Sequence, residues 1–96
     1  MSKYARKVDT NQADVISWYE GLGYSIINTS GAGRGFPDLI AVKLNYARKV
    51  WEKVFIEVKR SKYAQYTQAQ KEFNERFPGL AVRVETVEDV MRSVQE

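Results

Sequence analysis

The sequence predicts a single α/β domain spanning residues 1–96, a mixed four-stranded sheet flanked by helices in the order αβββαβα, ending on a C-terminal helix. Two observations predict it. Short apolar stretches of strand length are interleaved with stretches whose apolar residues recur at helical spacing. Two helix-start signatures, Thr67-Gln-Ala-Gln70 and Thr86-Val-Glu-Asp89, stand on either side of the last apolar stretch. With 96 residues and 44% hydrophobic side chains, one core is available and a second domain does not fit.

The elements follow in order. Asp9 or Thr10 can cap a first helix over roughly residues 11–22, whose stripe of Val15, Ile16, Tyr19 and Leu22 ends at Gly21 and Gly23. Residues 1–8 read as a flexible basic N-terminus. Tyr24-Ser-Ile-Ile-Asn-Thr is the first strand, and Ser30-Gly-Ala-Gly-Arg-Gly-Phe-Pro is a loop whose glycines permit unusual backbone angles. Asp38-Leu-Ile-Ala-Val-Lys and Val54-Phe-Ile-Glu-Val-Lys are the second and third strands. The polar, basic connection between them, around residues 44–52, suggests an antiparallel hairpin. Thr67 opens a second helix through Phe73 and Phe77, stopped by Pro78-Gly79. Leu80-Ala-Val-Arg-Val is the fourth strand, and Thr86 opens the last helix, with Val87, Val90, Met91 and Val94 apolar.

Composition excludes many chemistries. The chain has no cysteine and no histidine, which removes disulfides, thiolate metal sites, Ser-His-Asp triads and imidazole acid–base catalysis. Catalysis would have to use carboxylates, lysine, hydroxyls and a hard metal. No apolar run approaches the roughly 18 residues of a membrane span, and the first residues do not form a signal-peptide core, so no membrane partner and a cytoplasmic location are expected. The net charge of +3 is uneven: residues 43–62 hold seven basic side chains against Glu52 and Glu57. Such a concentration points toward a polyanion.

Chemistry concentrates where the hairpin brings strand ends together. If the second and third strands pair antiparallel, Asp38 lies near Glu57 and Lys59. The two-residue strand period then sets Phe55, Glu57 and Lys59 on one face and Val54, Ile56 and Val58 on the core face. An isolated Glu-x-Lys would read as a cross-strand ion pair. Here Glu57-Val-Lys59 is the only acid-x-Lys in the chain and Pro37-Asp38 the only Pro-Asp, and both fall at abutting strand ends. Two close carboxylates repel, and a divalent cation such as Mg²⁺, with Mn²⁺ able to substitute, relieves that cost.

Together, Gly33-Arg-Gly-Phe-Pro-Asp38-Leu-Ile, Phe55-Ile-Glu57-Val-Lys59 and Thr67-Gln-Ala-Gln70 resemble the virus-type replication-repair nuclease (VRR-NUC) domain of the PD-(D/E)XK superfamily, over residues 9–92. The resemblance implies a restriction-endonuclease-like αβββαβ core. It implies that Asp38, Glu57 and the Val58 carbonyl are metal ligands and that Lys59 is catalytic. Gln70 falls where the family has an active-site glutamine, and it is equally the third member of a capping box. Related archaeal Holliday junction resolvases carry a glutamate in the first helix where this chain has Gln12, with Asp14 two residues on as a substitute. Standalone members are homodimers that cut four-way junctions, which implies a structure-selective, phage-type DNA endonuclease acting on branched DNA. The alternative is a module that grips branched DNA without cutting.

Around this site, Ser30 and Arg34 in the glycine-rich loop, Arg60 and Lys62 after the third strand, and Lys43, Arg48 and Lys49 between the strands are the expected phosphate contacts. Gly31-Ala-Gly-Arg-Gly lacks the Gly-Lys-Ser/Thr of a P-loop, so ATP is not implied. Tyr63 and Tyr66 are candidates for stacking on an unpaired base or for closing a core edge. Trp18, Trp51, Phe73 and Phe77 are candidates for a dimer surface, with core packing the weightier role.

Overall fold

The computed structural model describes residues 3–61 and 63–94, with side chains from residue 11 onward. Its elements are α1 (Lys3–Gly21), β1 (Ser25–Asn28), β2 (Leu39–Asn45), β3 (Val50–Val58), α2 (Gln68–Arg76), β4 (Ala81–Val84) and α3 (Val87–Ser93). The expected order and the mixed four-stranded sheet are both present. Strands lie in the order β1-β2-β3-β4, antiparallel for the first two pairs and parallel between β3 and β4.

Two boundaries differ from expectation. The first helix begins at Lys3 rather than near residue 11, so residues 3–8, expected to form a flexible tail, have helical backbone. No glycine or proline interrupts Lys3 to Glu20, and Asp9 and Thr10 are carried within the helix instead of capping it. The hairpin strands are also longer than predicted and leave only a tight connection at residues 46–49, with Lys49 at φ 60°. Lys53 therefore belongs to a strand, as Lys43 was expected to. Basic side chains hide strand propensity at an exposed hairpin end.

The helix end shows why Gly23 is a glycine. Its φ of 93° turns the chain out of α1, while Gly23 N donates to Glu20 O at 2.9 Å and Tyr24 N to Tyr19 O at 3.1 Å. This is the Schellman pattern, and Lys43 Nζ adds a third donor at 3.1 Å to Leu22 O, where a cation also suits the negative end of the helix.

The core forms on the face that Ile56 shares with its partner Leu39. Val15, Tyr19, Tyr24, Leu39, Ala41, Ile56, Val84 and Val90 are buried there, with Val54 and Val58 packed against them. Helices α1 and α3 thus cover one face, and Tyr19 reaches Ser93 through a 2.5 Å hydroxyl hydrogen bond. Helix α2 covers the other face at one end only, through Phe36 packed edge-on to both Phe55 and Phe73. Both capping boxes, at Thr67 and Thr86, are formed as the spacing predicts. Among the described residues, no helix is long and apolar enough to cross a membrane.

Candidate active site

At the end where α2 packs, β3 extends beyond its antiparallel neighbour. Strand β2 starts at Leu39 opposite Ile56, and the ladder reaches one step further through Asp38 N donating to Ile56 O at 2.9 Å. Beyond it the Val58 N–H has no backbone partner on that side, and the Asp38 carboxylate takes its place, Oδ2 accepting at 2.9 Å. Asp38 is held in turn by Thr29, whose N–H donates to Asp38 O at 2.9 Å and whose hydroxyl donates to Pro37 O at 2.7 Å. In extended backbone a residue's N–H and C=O point the same way, so the Val58 carbonyl is also directed to the Asp38 side.

Glu57 lies next along β3 on the α2 face. It is the one charged side chain that is fully buried among the described residues, at 5% exposure. Burial, and then the charge of Asp38, push its carboxyl up from the ordinary 4.5 to about 7, against the opposing pull of Lys59. Lys59 Nζ is 3.7 Å from Glu57 Oε2 and donates to Gln70 Oε1 at 2.9 Å and to Gln65 O at 3.3 Å. Its backbone is fixed on both sides, N donating to Val84 O at 3.0 Å and O accepting from Asn11 Nδ2 at 2.8 Å.

Gln70 joins these groups to the helix. Its Oε1 accepts from Thr67 N at 2.9 Å as the capping box requires and also from Lys59, while its Nε2 donates to Glu57 Oε2. Gln70 thus closes the capping box and at the same time contacts Lys59 and Glu57.

A cleft of about 380 Å³ opens over this cluster, lined by Asp38, Glu57, Val58, Lys59, Arg60 and Gln70, with Ala64 and the α1 residues Asn11 and Gln12 opposite. Gln12 therefore faces the candidate site, and Asp14 is not among the lining residues. Two carboxylates, a peptide carbonyl and an amide form a set of hard oxygen donors of the type that holds Mg²⁺ with several waters retained. Among the described residues no group of three or more acidic side chains is placed to hold a metal ion; the oxygens that could hold one in this cleft are those of Asp38, Glu57 and the Val58 carbonyl.

The other expected contacts lie elsewhere. Ser30 is turned onto Asn28, its N–H and hydroxyl both meeting Asn28 Oδ1, and Arg34 is exposed at φ 57° outside the cleft. Lys43 caps α1, and Arg48 and Lys49 stand in the hairpin turn at the far end of β2, about 20 Å along the strand from Asp38. The expectation that these three flank the site is corrected: a hairpin that pairs over seven positions carries its turn away from the strand ends where the carboxylates meet. Lys62 lies outside the described residues. Tyr66 is half-buried between Lys59 and Arg83, both 5.3 Å from its ring, and so closes an edge rather than offering a free face.

The glycine-rich loop also has another role. A Cβ at Gly35 would lie 2.2 Å from Ala69 O and 2.7 Å from Gln70 N, so Gly35 is where the first turn of α2 comes down onto the loop before Asp38. Its φ of 75° needs glycine as well. Two supporting residues were not identified from sequence. Asn11 fixes the Lys59 carbonyl, and Arg83 donates to Ser61 O at 2.9 Å and Ala64 O at 2.6 Å while pairing with Glu85, holding the segment after Lys59. Parallel pairing sets Arg83 opposite Glu57, and an Arg in a strand pattern carries no signal of that partner.

Glu57 sets a pH signature. Its native carboxyl keeps a proton up to about 7 whereas an unfolded glutamate loses it near 4.5, so its contribution to stability is fully present below 4.5 and is lost as pH rises through 7. Without added metal, urea denaturation at pH 4.5 and 7.5 is expected to show wild type losing more stability across that interval than Glu57→Gln. Equal losses would contradict the buried, proton-retaining carboxyl.

Neither a scan against protein-family models nor searches of curated proteins and of solved structures finds a match to this chain.

Proposed function

We propose that this chain is a Mg²⁺-dependent, structure-selective DNA endonuclease of VRR-NUC type, hydrolysing phosphodiester bonds in branched DNA, as a Holliday junction resolvase of phage or prophage origin does. The reading is carried by one observation: Asp38, Glu57, the Val58 peptide and Lys59 line a single cleft at adjoining strand ends. Asp38, Glu57 and the Val58 carbonyl would hold the ion. When bound, the ion supplies charge neutralisation at the phosphate and activates water for attack. Lys59, oriented by Gln70 and by Asn11 through its own carbonyl, presents an ammonium to the charge that develops on the phosphate. Arg60 at the rim would hold a neighbouring phosphate without reading bases. Two such clefts in a homodimer would meet two strands of a junction.

Gln12 favours a second reading. It lines the cleft with a neutral amide where a carboxylate would complete a stronger metal site, which suits a module that binds branched DNA without cutting.

A labelled four-way junction and the matched linear duplex, incubated with protein in Mg²⁺, Mn²⁺ or EDTA beside Lys59→Ala, separate the two. Paired symmetric nicks in the junction that disappear with EDTA and in the variant are expected. Tight junction binding with no nicks in either metal would overturn the nuclease reading. Calorimetry with Mg²⁺ gives an independent check: heat of binding is expected for wild type and not for the Asp38→Asn/Glu57→Gln double variant. Identical titrations would remove these residues as ligands.

A further inference from the structure

The α2 face of the sheet is covered only at the cleft end. Four residues back along β3 from Phe55, Trp51 is 57% exposed, and Tyr46 in the adjoining turn is 81% exposed. Trp51 pairs with Leu44, and Val42 pairs with Ser25, so these four share the uncovered face. With Gly23, Lys43 and Tyr46 they line a hollow of about 310 Å³.

The hairpin that carries the hollow is rich in cations. Arg48, Lys49 and Lys53 are exposed on the same hairpin, Lys53 Nζ lying against the Trp51 carbonyl at 3.2 Å. The single acid of the hairpin, Glu52, alternates to the opposite face, where Asn45 Nδ2 donates to it at 2.9 Å. A flat indole and a phenol, with Lys43 lining the hollow and Lys53 Nζ against the Trp51 carbonyl, match the two chemical features of an unpaired nucleotide strand, its base faces and its phosphates. Duplex bases are already stacked and offer no such faces.

We infer that the Tyr46–Trp51 hollow at the β2–β3 hairpin binds single-stranded DNA, as a contact separate from the cleft and about 20 Å along β2 from it. The choice of DNA rests on the nuclease reading. The site would engage the unpaired strand of a branched substrate while the cleft engages a phosphodiester.

The test is fluorescence titration with a dT 20-mer, using Trp51 as reporter, alongside sedimentation of the free protein. Wild type is expected to bind with quenching. The Tyr46→Ala/Trp51→Ala variant, followed by anisotropy of labelled dT 20-mer, is expected to bind about tenfold or more weaker while its circular dichroism is unchanged. Arg48→Ala/Lys49→Ala is expected to lower the salt dependence by about 1.4 in log–log slope. The titrations are made in EDTA, where no cleavage is read, so failure of the nuclease reading is distinguishable from failure of this one. No binding by wild type, or equal binding by the aromatic variant, would overturn the inference. So would a dimer that the aromatic substitutions dissociate without changing dT affinity, because a second copy would then occupy the hollow.

Discussion

Lys59→Ala is expected to reduce Mg²⁺-dependent junction cleavage by about 100- to 1,000-fold, the range found when one preorganised charge-stabilising donor is removed. Junction binding, which rests on rim and surface cations, is expected to be nearly unchanged. The size of the loss follows from how firmly the ammonium is held: its side chain is 11% exposed, it donates to Gln70 and Gln65, and its backbone is tied to Val84 and Asn11. Such a group needs no reorganisation when charge develops in front of it. Removing it also leaves Glu57 buried without its cation, so Lys59→Met, which retains most of the apolar stem, separates loss of charge from loss of packing. Both variants losing cleavage, with Lys59→Met melting closer to wild type than Lys59→Ala, is the expected result. Cleavage preserved in Lys59→Met would remove the ammonium from the mechanism.

The second large effect is at Gly35. Gly35→Ala sets a methyl 2.2 Å from Ala69 O at a φ of 75°, combining a left-handed backbone penalty with overlap against helix backbone. The backbone contributes about 1–2 kcal/mol and the overlap about 1–3 kcal/mol, so a loss of about 2–5 kcal/mol is expected. For a domain of this size that lowers the melting temperature by roughly 10 °C or more. Gly33 supplies the comparison, since it has the same φ of 75° and nothing within 4 Å of an added Cβ. Gly33→Ala is expected to lose only the backbone part, about 1–2 kcal/mol. Thermal denaturation of the two side by side isolates the contact with α2, and equal losses would dismiss it. Because α2 carries Gln70 in its first turn, cleavage is expected to fall in Gly35→Ala and not in Gly33→Ala.

Local signals made much of this legible in sequence. The strand period correctly separated Ile56 from Glu57, both capping boxes formed where Thr67 and Thr86 predicted, and the antiparallel hairpin brought Asp38 to β3. What was missed depends on distance in the chain. Asn11 meets Lys59 across 48 positions, and Arg83 sits opposite Glu57 through a parallel pairing that no turn announces. The basic cluster misled for a related reason: nearness in sequence was taken as nearness in space, whereas an extended strand adds about 3.3 Å per residue and carried Arg48 and Lys49 to the opposite end. In the sequence the glycine-rich loop shows only backbone freedom and candidate phosphate contacts. At Gly35 the adjoining space is filled by α2, a contact 34 positions away that composition cannot register.

Gln70 ties two events of different kinds together. Its side chain closes the first turn of α2 and at the same time bridges Lys59 and Glu57, so fraying of that turn takes a hydrogen bond from each of the two. Amide exchange at Thr67 and Gln70 therefore reports on Lys59 without probing it. Anything that binds the cleft and holds Glu57 ionised strengthens its bond to Gln70 and slows that exchange. The helix terminus serves as a built-in gauge of whether the cleft is occupied, readable in a protein that never turns over.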